Sequence, residues 1–143
     1  MNNYKKKGFT LFELLVSISI IGILTAIASI SFSTAQKKAR DARRMEDVQS
    51  IAKAAETYYS VGSYTYPVSL TVANFTVNSE AMLATIPTDP KPSPYVQYSY
   101  QTGVPAVGGF CVCAYMENTN NANATNGSCG FGSGNYYCVK NQQ

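Results

Sequence analysis

The run from Phe9 to Phe32, FTLFELLVSISIIGILTAIASISF, restricts this chain more than any other stretch, because it is predominantly apolar and carries a single charge, Glu13. At about 1.5 Å per residue a helix of this length reaches roughly 36 Å, longer than the ~30 Å hydrocarbon core of a bilayer. It is long enough to span a membrane. A secretory signal peptide has an apolar core of about 7–15 residues with its cleavage site after that core. Here the short processing-type element, Lys5-Lys6-Lys7-Gly8, comes before the apolar run instead. Glu13 needs its own account. A carboxylate at the bilayer centre costs about 2.5–3.5 kcal/mol and less near the edge, so it either snorkels to the headgroups or awaits a positive partner.

The segment Lys7-Gly8-Phe9-Thr10-Leu11-Phe12-Glu13-Leu14-Leu15-Val16 resembles the N-terminal signature of type IV pilins and pseudopilins. The resemblance implies cleavage by a prepilin peptidase between Gly8 and Phe9, methylation of the new N-terminal Phe9, and a mature chain that keeps its apolar helix. It also implies that Glu13 lies in a filament core, where it neutralises the N-terminal amine of a neighbouring subunit. Physics supports such a pair, since a buried carboxylate and a buried ammonium are each costly alone and far less so together. The implied partners are identical or homologous subunits, the peptidase and the assembly machinery. The implied location is a single-pass membrane precursor that matures into an extracellular pilus. Many pilins have a proline mid-span, near Ile30 here; this chain has none, which leaves Gly22 as the expected site of any local loosening.

Removing residues 1–8 takes away Lys5, Lys6 and Lys7 and leaves eight basic against eight acidic side chains. That balance gives no electrostatic basis for strong nucleic-acid binding. Histidine is absent, and with it the commonest general base and metal ligand. No nucleophile elbow, phosphate loop or paired-carboxylate cluster is visible, so no enzyme and no cofactor are expected. Most of the 11 tyrosines lie from Tyr58 onward, where packing is expected over a dedicated binding face.

Cys111, Cys113, Cys129 and Cys138 all follow the apolar run, and an even number in a small exported domain points to two disulfides. No metal is expected, because this spacing matches no usual zinc pattern. Cys111 with Cys113 is a poor pair, since residues two apart on a strand have α-carbons about 6.6 Å apart or more. Two pairings remain: 111–138 with 113–129, which is preferred, or 111–129 with 113–138. The lysines of the leader and the cations at 37, 38, 40, 43 and 44 flank the run on both sides, so charge alone does not orient it. The late cysteines and the family resemblance place the C-terminus outside.

The expected organisation is α+β: a leader at 1–8, an apolar membrane and filament-core helix at 9–33, and a globular region at 34–143. Within the last, a helix is expected at 34–61, a connecting loop at 62–94, and a small antiparallel sheet with a disulfide-bounded region at 95–143. Ala35, Ala39, Ala42, Met45, Val48, Ala52, Ala55 and Tyr59 recur three and four apart and make one apolar seam. Lys38, Arg44, Asp47, Gln49 and Lys53 are then read as outer-face residues, with Lys37–Asp41 and Arg43–Asp47 as helix pairs. The basic face is expected to be solvated, with contact to anionic lipid or charge pairing between subunits as the sharper readings. Gly62 is expected in the left-handed position that ends the helix.

Residues 79–83 suggest a short helical turn, and Tyr95–Gln101, Phe110–Met116 and Tyr136–Lys140 suggest strands. In the second strand Phe110, Val112 and Ala114 share one face, and Cys111, Cys113 and Tyr115 the other. The Asn/Gly-rich loop 117–134 is the expected exposed, variable face. Asn74, Asn123 and Asn126 fit the N-glycosylation pattern, although modification is not expected. The functional expectation is a structural filament subunit. A minor pilin or pseudopilin of a secretion or DNA-uptake system, or a membrane-stem adhesion module, are the alternatives.

Overall fold

The computed structural model describes residues 8–91, 97–103 and 108–142. The expected leader, apart from Gly8, and the expected strand positions Tyr95 and Val96 therefore lie outside the described residues. The chain forms two compact units, Met1–Gln36 and Lys37–Gln143. The fold is α+β, with one long helix, α1 (Leu11–Tyr58), followed by small antiparallel sheets.

In the first unit, α1 has no interior to face: its Leu, Ile and Phe side chains are exposed from Leu11 to Phe32. Its hydroxyls turn back on the helix. Ser17, Ser19, Thr25 and Ser29 donate to carbonyls four residues earlier at 2.8–2.9 Å, the local bonding expected of Ser and Thr inside a helix. The helix continues unbroken through Gly22.

In the second unit α1 carries a buried stripe of Val48, Ile51, Ala52, Ala54 and Ala55. The expected seam holds at Val48, Ala52 and Ala55, whereas Ala35, Ala39 and Ala42 are exposed. The observed stripe is rotated by about one residue and runs through Asp41 and Arg44 instead. After Tyr58 the helix widens into a π-turn, Tyr59–Ser63, whose carbonyl at Tyr59 accepts the N–H of Tyr64 at 3.2 Å. Tyr64, not Gly62, takes the left-handed conformation (φ 47°), because the wider turn moves the chain reversal two residues past the glycine.

The connector contains a two-stranded hairpin, β1 (Thr76–Val77) with β2 (Glu80–Ala81). This corrects the expected helical turn at 79–83. Asn78 and Ser79 both have positive φ, the conformation of a two-residue type I′ hairpin turn, so the backbone reverses into a ladder there. The main sheet has the order β3 (Ser99–Thr102), β4 (Phe110–Tyr115), β5 (Tyr136–Lys140), all antiparallel. Cys113 stands opposite Ser99 on one side and Cys138 on the other.

Strand β4 separates two interiors. Phe110, Val112 and Ala114 join the α1 stripe with Tyr66, Phe75 and Tyr98. Cys111 and Cys113 form the second cluster with Cys129, Cys138 and Ala124. The alternation read from the sequence is thus the division between the two. Tyrosines here pack: Tyr66 lies 4.7 Å from Phe110 and 4.9 Å from Tyr59 between ring centroids. Their hydroxyls are tied to the helix, Tyr66 to Glu56 at 3.0 Å and Tyr98 to Asp47 at 2.6 Å. Burial and the neighbouring carboxylate Glu56 push the Tyr66 phenol up to about 12.

The 117–134 segment is held in place by its own bonds. Ala124 bridges to both Phe131 and Tyr136, and Gly134 passes so close to the Ala124 carbonyl that an added Cβ would collide with it. Asn123 completes the arrangement: its Oδ1 accepts the N–H of Cys138 at 2.7 Å, and its Nδ2 donates to the carbonyl of Cys138 at 2.9 Å. One amide side chain thereby substitutes for the next strand along the outer edge of β5.

Candidate functional site

The residues singled out by the sequence fall into two groups. Gly8, Phe9 and Glu13 lie at the start of the first unit. Gly8 has open space around it and Phe9 is 88% exposed. Glu13 is bonded locally: its carboxylate accepts the backbone N–H of Thr10 at 2.9 Å and the Thr10 hydroxyl at 2.8 Å. In return, Thr10 Oγ1 accepts the N–H of Glu13 at 3.2 Å. These reciprocal bonds form a capping box, which satisfies donors that the first turn of a helix otherwise leaves unpaired. The signal for it was present as Thr10-Leu11-Phe12-Glu13 directly before an apolar run. Every atom of this box belongs to residues after Gly8. Beyond it, Phe9, Leu11, Phe12, Leu14, Leu15 and the apolar residues to Phe32 offer hydrocarbon surface on all sides.

The cysteines form the second group, and the structure brings all four together. Cys111 bonds Cys129, and Cys113 bonds Cys138. This corrects the preferred pairing. Register decides it: Cys113 and Cys138 are direct cross-strand partners with α-carbons 4.1 Å apart, the close spacing of a non-hydrogen-bonded pair. The Asn123 clamp fits the same register, because Cys138 turns its backbone groups outward to Asn123 instead of toward β4. The sulfurs of Cys111, Cys113 and Cys138 lie within 4.8 Å of one another, but each is in a disulfide and offers no thiolate to a metal.

A third group was not read from the sequence as a site. Arg44, placed on the outer face by its spacing, is completely buried. Its guanidinium donates to both carboxylate oxygens of Asp89, Nε at 2.7 Å and Nη2 at 2.9 Å. Nη1 donates to Asp41 at 2.8 Å and to Glu117 at 3.0 Å. Arg40 adds its own fork to Glu117 at 2.6 and 2.7 Å. Asp41 also accepts the N–H groups of Glu117 and Asn118, at 2.9 and 2.8 Å, and so turns inward from Lys37. The expected Arg43–Asp47 pair is present at 4.0 Å.

Each carboxylate reaches Arg44 from a different segment, namely α1, the loop after the hairpin and the strand exit after β4. Hydrogen bonds from Arg40 and then Arg44 outweigh burial and hold the Glu117 carboxyl down at about 2. Burial opposes the charge of Arg44, yet its three carboxylate partners push its pKa above the ordinary value. The cluster is a staple of ion pairs and hydrogen bonds that ties three segments of the second unit together.

Comparison with known proteins bears on the first group. The family model for the prokaryotic N-terminal methylation motif matches residues 3–29. The fimbrial protein EcpB of Eikenella corrodens is 42% identical over 59 residues, a match covering 41% of this chain and 37% of that relative's length. No solved structure matches the chain. The N-terminal segment thus matches a prokaryotic methylation motif, and over part of its length the chain is similar to a fimbrial protein.

Proposed function

We propose that the chain is a structural subunit of a type IV pilus-like filament, made as a membrane precursor and processed at its N-terminus. The observation that carries this reading is the apolar helix surface from Leu11 to Phe32, exposed on all sides and broken by a single carboxylate. Such a surface must be covered by lipid or by copies of itself. A prepilin peptidase cuts between Gly8 and Phe9, and Phe9 is methylated. Residues 9–33 then leave the membrane for a filament core, and residues 34–143 form the globular region. In the core, Glu13 neutralises the Phe9 amine of a neighbouring subunit and sets axial register.

The capping box gives Glu13 a second role, and the two roles separate by substitution. Glu13→Gln keeps an acceptor for Thr10 but removes the charge, whereas Thr10→Val removes the cap and keeps the charge. Filament yield should fall in Glu13→Gln and largely survive in Thr10→Val, with both precursors inserted in the membrane. Full assembly of Glu13→Gln would reject the amine pairing. Peptide mass spectrometry of the surface fraction tests processing directly, with a chain starting at Phe9 and carrying one extra methyl group as the expected result.

A further inference from the structure

Five cations lie between residues 37 and 44, and the folded structure treats them unequally. Arg40 and Arg44 are committed to Glu117, Asp41 and Asp89, and Arg43 lies beside Asp47. Asp41, the one carboxylate placed three and four residues after Lys38 and Lys37, faces inward to Arg44 and to the backbone of residues 117 and 118. Lys37 and Lys38 are exposed, and no carboxylate among the described residues is in ion-pair reach of either. They follow Phe32, the last residue of the apolar run, by only five and six positions.

We propose that Lys37 and Lys38 form a binding site for anionic phospholipid headgroups at the membrane surface where the apolar helix emerges. Two features favour lipid over a neighbouring protein. The site adjoins a stretch whose exposed surface is hydrocarbon, so in the membrane a headgroup is the nearest polar neighbour. The ammonium groups also carry flexible four-carbon stems, which suit a mobile phosphate better than a fixed bidentate partner. Folding of the second unit builds the site, because the ion cluster withdraws the Asp41 charge that would otherwise neutralise it. The proposal rests on the reading of the apolar run as a membrane span and is independent of filament assembly.

The test is native mass spectrometry of the full chain released from bilayers of phosphatidylcholine with a minority of phosphatidylglycerol. The wild-type chain should retain phosphatidylglycerol roughly threefold above its share of the bilayer. That excess should drop in the Lys37→Gln/Lys38→Gln variant and persist in a Lys5→Gln/Lys6→Gln/Lys7→Gln variant, which controls for the leader. Asp41→Asn should keep the excess, since the carboxylate it alters does not compensate the lysines. Equal retention by wild type and Lys37→Gln/Lys38→Gln overturns the proposal. So does an unchanged lipid profile accompanied by loss of filaments, which would assign the two lysines to a neighbouring subunit. Failure of the chain to float with the bilayers would instead reject the membrane span on which the proposal rests.

Discussion

Arg44 and Asp89 meet through two parallel hydrogen bonds, Nε to Oδ2 at 2.7 Å and Nη2 to Oδ1 at 2.9 Å, with both side chains sealed from solvent. The bond ties the middle of α1 to a loop 45 residues further on. Removing the guanidinium leaves Asp41, Asp89 and Glu117 facing one another without their shared cation. Arg44→Ala should therefore destabilise the second unit by about 3–5 kcal/mol. Arg44→Lys should fall between it and wild type, because an ammonium cannot reproduce the fork. Denaturant unfolding of the full chain in detergent micelles, followed by tyrosine near-UV signal, measures both.

Acid should loosen the same staple. Glu117 has a folded pKa of about 2, below its ordinary value, so its contribution is fully present above the unfolded value near 4.5. That contribution is lost as pH falls from about 4.5 toward 2. Glu117→Gln should flatten the acid limb of the stability profile in that window while lowering stability at neutral pH. An acid limb identical to wild type would show that other carboxylates govern it.

The disulfides close loops of 18 and 25 residues in sequence separation. In the chain-entropy treatment each contributes about 3 kcal/mol. Cys111→Ser/Cys129→Ser and Cys113→Ser/Cys138→Ser should each lower stability by roughly that amount. Their effects should not add, since Cys111 and Cys113 sulfurs are 3.6 Å apart in one cluster. The pairing itself is checked by peptide mapping with a protease that cuts at Val112, which separates the two half-cystines on β4.

Asn123→Ala should cost about 1–3 kcal/mol, because it leaves the N–H and carbonyl of Cys138 without partners. Hydrogen exchange at Cys138 should accelerate in this variant. The same clamp makes Asn123 unavailable to a glycan in the folded protein, although it fits the acceptor pattern.

The architecture was legible wherever one rule acted alone. Period-two alternation identified both faces of Phe110–Tyr115, and length with apolarity identified the helix. The seam of α1 was displaced because hydrophobic spacing counts only apolar residues. Asp41 and Arg44 continue the stripe of Val48, Ile51 and Ala55 in position but not in chemistry, so the reading shifted to Ala42 and Met45. Their burial depends on Asp89 and Glu117, which sequence distance conceals. The hairpin at 76–81 was missed because its strands are two residues long, too short for any period to show. The disulfide pairing followed from strand register, which neither cysteine spacing nor loop length specifies. Around Glu13, attention to its charge obscured the simpler Thr-x-x-Glu cap.

The Arg44 staple also imposes an order in time. A chain synthesised from its N-terminus presents Asp41 and Arg44 together, then Asp89, and Glu117 last, 73 residues after the arginine. Until Glu117 arrives, an interior closed over Arg44 lacks one anion and the fork that Arg40 makes to it. Premature collapse is thus penalised, and the docking of the strand exit after β4 acts as a checkpoint passed only once the chain has been made through Glu117.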